Sequence, residues 1–95
     1  MNKYEVALVL SAKISDEDRI AVLNQIKAYI EKYTGTVKEV EEWGKRTLAY
    51  AIRKETEGYY YFVKVEGEAE LPVSLEKNLR IMMETVLRYL IVAED

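Results

Sequence analysis

Two stretches of helical apolar spacing are set between runs that alternate apolar and polar residues, and this order of periodicities leaves few folds open. From Lys3 to Leu10, Tyr4, Val6, Leu8 and Leu10 alternate with Glu5, Ala7 and Val9, which predicts a strand with one strongly apolar face. Ser15 followed by Asp18 reads as a capping-box start, and Asp16, Glu17 and Asp18 suit the positive end of a helix dipole. Ile20, Leu23, Ile26, Ile30 and Tyr33 then recur at helical spacing until Gly35, which is expected to end the helix as a left-handed cap. Thr36 to Ile52 is β-prone and broken by Gly44, where a bulge or bend is expected. A polar turn over Arg53 to Gly58 leads into a returning strand from Tyr59 to Glu66. Pro72 opens a second helix with Leu71, Leu75, Leu79 and Met82 on one side, and Thr85 to Val92 forms the last strand.

The resulting order, β-α-β-β-α-β, predicts an α+β fold of the ferredoxin-like, split βαβ type: a four-stranded antiparallel sheet with two helices on one face. At 95 residues, residues 1–95 are expected to form a single domain with one core. Val6, Leu8, Ile26, Ile30, Val63, Val65, Leu75 and Leu79 are its expected members. Within the run Tyr59-Tyr-Tyr-Phe-Val-Lys-Val65, alternation sends Tyr59, Tyr61, Val63 and Val65 inward and leaves Tyr60, Phe62 and Lys64 on the open face. Some of Leu48 to Tyr50 should join them. A bulge at Gly44 would flip every side chain beyond it, so periodicity leaves open which of them do.

Hydrophobic residues make up 49% of the chain and charged residues 33%, which argues against disorder. Without cysteine or histidine, disulfides, thiolate metal sites and the commonest general base are excluded. No nucleophile elbow, phosphate loop or metal-ligand spacing is present, and Glu39, Glu41 and Glu42 fall on a strand, where neighbours face opposite ways. An enzyme, a cofactor and a small-molecule substrate are therefore not expected. There is no apolar run of membrane-spanning length, and the N-terminus lacks the form of a signal peptide, so a soluble, cytoplasmic chain is expected.

The net charge of −3 disfavours strong non-specific attraction to polyanions, so nucleic-acid binding would need its basic residues gathered locally. Lys45-Arg46, Arg53-Lys54, Arg80 and Arg88 are the available groups. The segment Gly58 to Val65 resembles the octapeptide of RNA-recognition motifs, with Tyr60 and Phe62 at the two stacking positions. It departs from that pattern at Gly58 and Tyr61, and strand one offers Glu5, Ala7 and Val9 where that family places an aromatic. The alternatives are a docking face for a protein and folded RNA, or a self-associating module that pairs through the Thr36 to Ile52 edge.

The whole chain supports the docking reading, because four separated segments resemble ribosomal protein six of the bacterial small subunit. These are Tyr4 to Leu10, Val40 to Ile52 with its Gly44-Lys-Arg-Thr-Leu-Ala-Tyr50 motif, Gly58-Tyr-Tyr60, and Leu79-Arg-Ile81 with Val86 to Leu90. The similarity runs from residue 1 to about 92 without insertion. It implies a ribosomal location and a heterodimer with small-subunit protein eighteen that binds the central domain of 16S ribosomal RNA. A basic partner would supply much of the phosphate neutralisation, which accounts for an acidic chain in an RNA particle. By the family's pattern, RNA contacts are expected at Lys3, Lys45, Arg46, Arg88 and Tyr89, and partner contacts at Leu48, Tyr50, Tyr60 and Phe62. The sequence departs from the family at Asn2, where a basic residue is common, at Thr47, where a second basic residue is frequent, and at Ala51, where proline often stands. Many members also continue into a C-terminal tail beyond the point where this sequence stops, at Glu94-Asp95.

Overall fold

The predicted periodicities are realised as β1 (Asn2–Ser11), α1 (Asp16–Lys32), β2 (Thr36–Ile52), β3 (Glu55–Gly67), α2 (Leu71–Ile81) and β4 (Val86–Glu94). The computed structural model describes residues 2–82 and 84–94. The strands form one sheet in the order β2-β3-β1-β4, with every neighbouring pair antiparallel. This is the ferredoxin-like split βαβ arrangement.

Register follows from burial. Val6 pairs with Val63 and Ile91, and Leu8 with Tyr61 and Tyr89, so the inward sets of three strands coincide beneath the helices. All eight expected core residues are buried, joined by Leu10, Leu71 and Val86. Each such aliphatic side chain contributes about 1.5–3 kcal/mol through removal from water, which is what commits the sheet to one face. The expected helical stripe of α1 is shifted at its start: Ile20 is exposed, and Val22 packs into the core with Leu23, Ile26 and Ile30. Arg19 covers the sheet where Ile20 does not, with Nε donating to the Tyr61 hydroxyl at 2.8 Å and its guanidinium 3.7 Å from the Tyr59 ring centroid.

The helix ends were legible to different degrees. The Ser15 hydroxyl accepts from the Asp18 amide at 3.1 Å, as the cap signature predicts. At the other end Gly35 is not the left-handed residue; Thr34 is, with φ of 61°. The amides of Thr34 and Gly35 donate to the carbonyls of Glu31 and Ile30, which is the paired bonding of a Schellman motif. Gly35 serves close packing instead: a Cβ there would come within 2.9 Å of both Ile30 and Leu71.

The β2-β3 hairpin departs most from a regular ladder. Gly44 (φ 79°) sits at the expected bulge, where the register shifts past Trp43. The turn is tighter than the polar run suggested. Ile52 pairs with Glu55, and Arg53 and Lys54 form a two-residue turn with φ of 48° and 67°. Between Thr47 and Ile52, five steps along β2 answer two along β3, so β2 carries extra residues that bow out of the ladder.

Candidate nucleic-acid and partner interface

With both helices on one side, the opposite face of the sheet is uncovered. Strand pairing assigns it Lys3, Glu5, Ala7 and Val9 of β1, Tyr60, Phe62 and Lys64 of β3, and Arg88, Leu90 and Val92 of β4. From β2 the bulge brings Trp43 to this face, where its ring lies tilted on Phe62 with centroids 4.8 Å apart. Beyond the bulge the Gly44–Tyr60 and Arg46–Gly58 pairs fix the register, so Arg46 shares the open face while Lys45 pairs with Tyr59 and turns away. The Arg46 guanidinium lies 5.1 Å from the Trp43 ring centroid, so a cation, an indole and a phenyl ring are in contact in series.

The bowed end of β2 crosses the sheet above β1. The hydroxyl of Tyr50 accepts from Arg88 Nη1 at 3.0 Å, joining the two edge strands, and Arg53 Nη2 donates to the Val86 carbonyl at 3.0 Å. From β1, the buried hydroxyl of Ser11 donates to Glu55 at 2.6 Å. Gly58 permits the crossing, because a Cβ there would stand 2.5 Å from Val9 Cγ1 and 3.2 Å from the Leu10 carbonyl. Leu48 and Val9, at 9% and 8% exposure, close over this glycine. Leu48 therefore forms the floor of the face instead of a contact on its surface.

What remains exposed is unusually apolar for a free surface. Trp43, Tyr50, Leu90 and Val92 are all exposed by 46% or more on this one side. Between them, Ala7, Val9, Tyr60, Phe62, Arg88 and Leu90 line a shallow depression of about 210 Å³. Large rigid side chains around a depression suit a partner that inserts an apolar residue.

The sequence-predicted basic residues do not form one patch. Lys3 lies six residues along β1 from Val9, the neighbour of Arg88, so the two stand about 20 Å apart. Around Lys3 the charges compensate: Lys38, Lys64, Glu66 and Glu94 line the same hollow, and Lys38 Nζ bonds Glu66 at 2.9 Å. That bond, with Lys3 adding to it, holds the Glu66 carboxyl below its ordinary range. Arg46 and Arg88, by contrast, make no salt bridge among the described residues. Tyr89 faces the helices, partly buried, with its hydroxyl donating to Glu76 at 3.5 Å, so it is separated from Arg88 by the pleat. Of the expected partner residues, Tyr50, Tyr60 and Phe62 stand together with Trp43 and Leu90. The sequence reading did not include Leu90 and Val92, though their alternation with Arg88 carried the signal. Among the described residues no group of carboxylates could hold a metal ion.

Comparison with known proteins gives consistent matches over nearly the full length. The family described as Ribosomal protein S6 matches residues 3–93. Small ribosomal subunit protein bS6 of Alkaliphilus oremlandii is 41% identical over 92 residues, covering 97% of this chain and 96% of the relative. The bS6 protein of Clostridium botulinum is 38% identical over 95 residues and covers both chains completely. The crystal structure of 30S ribosomal protein S6 from Thermotoga maritima superposes with a TM-score of 0.92 at 26% identity, covering 98% of this chain and 87% of that one.

Proposed function

Because the chain belongs to the ribosomal protein S6 family, we propose that it binds the central domain of 16S ribosomal RNA as a heterodimer with small-subunit protein eighteen. Family membership makes it a structural constituent of the small subunit, located on the cytoplasmic ribosome, and not an enzyme. The observation that carries the finer reading is the open sheet face. In a chain of net charge −3, Trp43, Tyr50, Leu90 and Val92 lie exposed beside two arginines free of salt bridges among the described residues. Apolar surface of this kind calls for a protein cover, while the arginines suit RNA contacts at its rim.

In this reading Tyr50, Tyr60 and Phe62 contact the partner, with Leu48 supporting them from beneath. Arg46 and Arg88 reach RNA. Lys3, Lys45 and Tyr89 are further RNA positions, each outside the apolar centre. Base stacking on Tyr60 and Phe62 is disfavoured because β1 sets Val9 and Ala7 opposite them where an aromatic is needed, with the acidic Glu5 next on the same face.

Leu90→Glu tests the partner surface by calorimetric titration with purified protein eighteen. Burying an unpaired carboxylate should weaken the heterodimer by roughly 2 kcal/mol or more, about thirtyfold. Ile81→Glu, on exposed α2, should leave it unchanged. Equal affinity for both variants would refute the open face as the partner surface.

A further inference from the structure

We propose that Arg53, Arg80 and Arg88 form a clamp for RNA backbone phosphate at the edge where β4 meets α2. The three guanidinium-bearing side chains line one cavity of about 370 Å³ whose remaining walls are Leu79, Val86, Leu87 and Tyr89. Among the described residues no carboxylate lines it, and the nearest acid engaged is Glu76, which forms a salt bridge with Arg80 at 3.0 Å. The hollow at Lys3 mixes lysines with Glu66 and Glu94, and the one at Lys45 mixes lysines with Glu55 and Glu57. With Arg53 and Arg88 both free of salt bridges among the described residues, this cavity is a local departure in a chain with more acidic than basic residues. The inference rests on the RNA-binding reading and extends it to Arg53 and Arg80.

Each guanidinium is tethered and keeps donors to spare, Arg80 the fewest because it is held by the Glu76 carboxylate and the Tyr89 hydroxyl. Arg53 donates to the Val86 carbonyl, Arg88 to the Tyr50 hydroxyl and Arg80 to Glu76, each at 3.0 Å. Arginine has five N–H donors in a planar fork, so a phosphate oxygen pair can still be bound bidentately. Arg80 lies in the last turn of α2, where the negative end of the helix dipole would repel an anion, and its cation offsets that field.

The hairpin turn fixes where Arg53 starts from. That residue occupies the first position of a two-residue hairpin turn at φ 48°, where asparagine or glycine would fold with less strain. Lys54 shares the left-handed conformation that the turn requires, and what sets Arg53 apart is that its side chain reaches across to β4.

The test measures affinity of the heterodimer for a central-domain 16S fragment across a salt series. Arg53→Asn suits the turn and Arg80→Gln suits the helix, so circular dichroism should show both folded. Each should weaken binding roughly three- to tenfold and lower the slope of log affinity against log salt by about one. Lys27→Gln, on α1, should change neither. Unaltered affinity and slope in both variants, with the unmodified heterodimer binding, would overturn the clamp and leave the ribosomal reading standing. Failure of the unmodified heterodimer to bind would refute the ribosomal reading itself. In that case titration of the free protein with inorganic phosphate, followed by arginine side-chain NMR, separates the two. Saturable shifts at Arg53 and Arg80 would support the anion-binding cavity, and their absence would remove it.

Discussion

Single residues carry strain that the sequence did not announce. Thr34 holds the left-handed position of the α1 cap, where a β-branched side chain is disfavoured and glycine is usual. The sequence placed the glycine one position later, and the apparent cap signal at Gly35 was instead a packing requirement against Ile30 and Leu71. The two roles look alike in sequence because both call for a missing Cβ. Thr34→Gly should stabilise the protein by about 0.5–1 kcal/mol, with relief of backbone strain exceeding the entropy lost by a freer unfolded chain. Urea denaturation checks this, and a loss of stability would mean that the Thr34 hydroxyl bond to the Tyr33 carbonyl outweighs the strain.

Among the elements, strands β1 and β3 were readable because period-two alternation and burial point the same way, from Tyr4 with Val65 to Leu10 with Tyr59. β2 was readable only to Gly44. Its register beyond the bulge depends on how many residues leave the ladder, and sequence alternation cannot count them. The α1 stripe misled at Ile20 because the long side chain of Arg19 snorkels over Tyr59 and Tyr61 instead. A second irregularity of β2, between Val37 and Glu39, frees Lys38 to reach Glu66. The hydrogen bond from Lys38 depresses the Glu66 pKa below its ordinary 4.5, so the carboxylate stabilises the fold above pH 4.5. That contribution is lost as pH falls through the lower, folded-state value. Lys38→Met should therefore reduce stability at pH 7 and have a smaller effect near pH 3, as measured by urea unfolding at each pH. An undiminished effect at the lower pH would show that Lys38 acts through packing alone.

At the scale of the molecule, the order of elements and the core were legible because they follow from hydrophobic periodicity. The functional surface was partly so. Tyr60 and Phe62 were identified as outward-facing, but the meeting of Tyr50 with Arg88 depends on the hairpin crossing β1, a tertiary event with no local signature. The same crossing brings Arg53 beside Arg80 and Arg88, three residues from separate elements. One side of the sheet is thus built into a core and the other is left apolar, rimmed by arginines and open. The proposed function requires that a protein complete this face and that RNA bind the pair. The most direct test is the affinity of the chain for a folded central-domain 16S fragment, measured alone and with protein eighteen, against unstructured RNA oligomers of equal length. Tight binding to the folded fragment only when both proteins are present is the predicted result. Equal binding of the free chain to unstructured oligomers, abolished by Tyr60→Ala with Phe62→Ala, would contradict it.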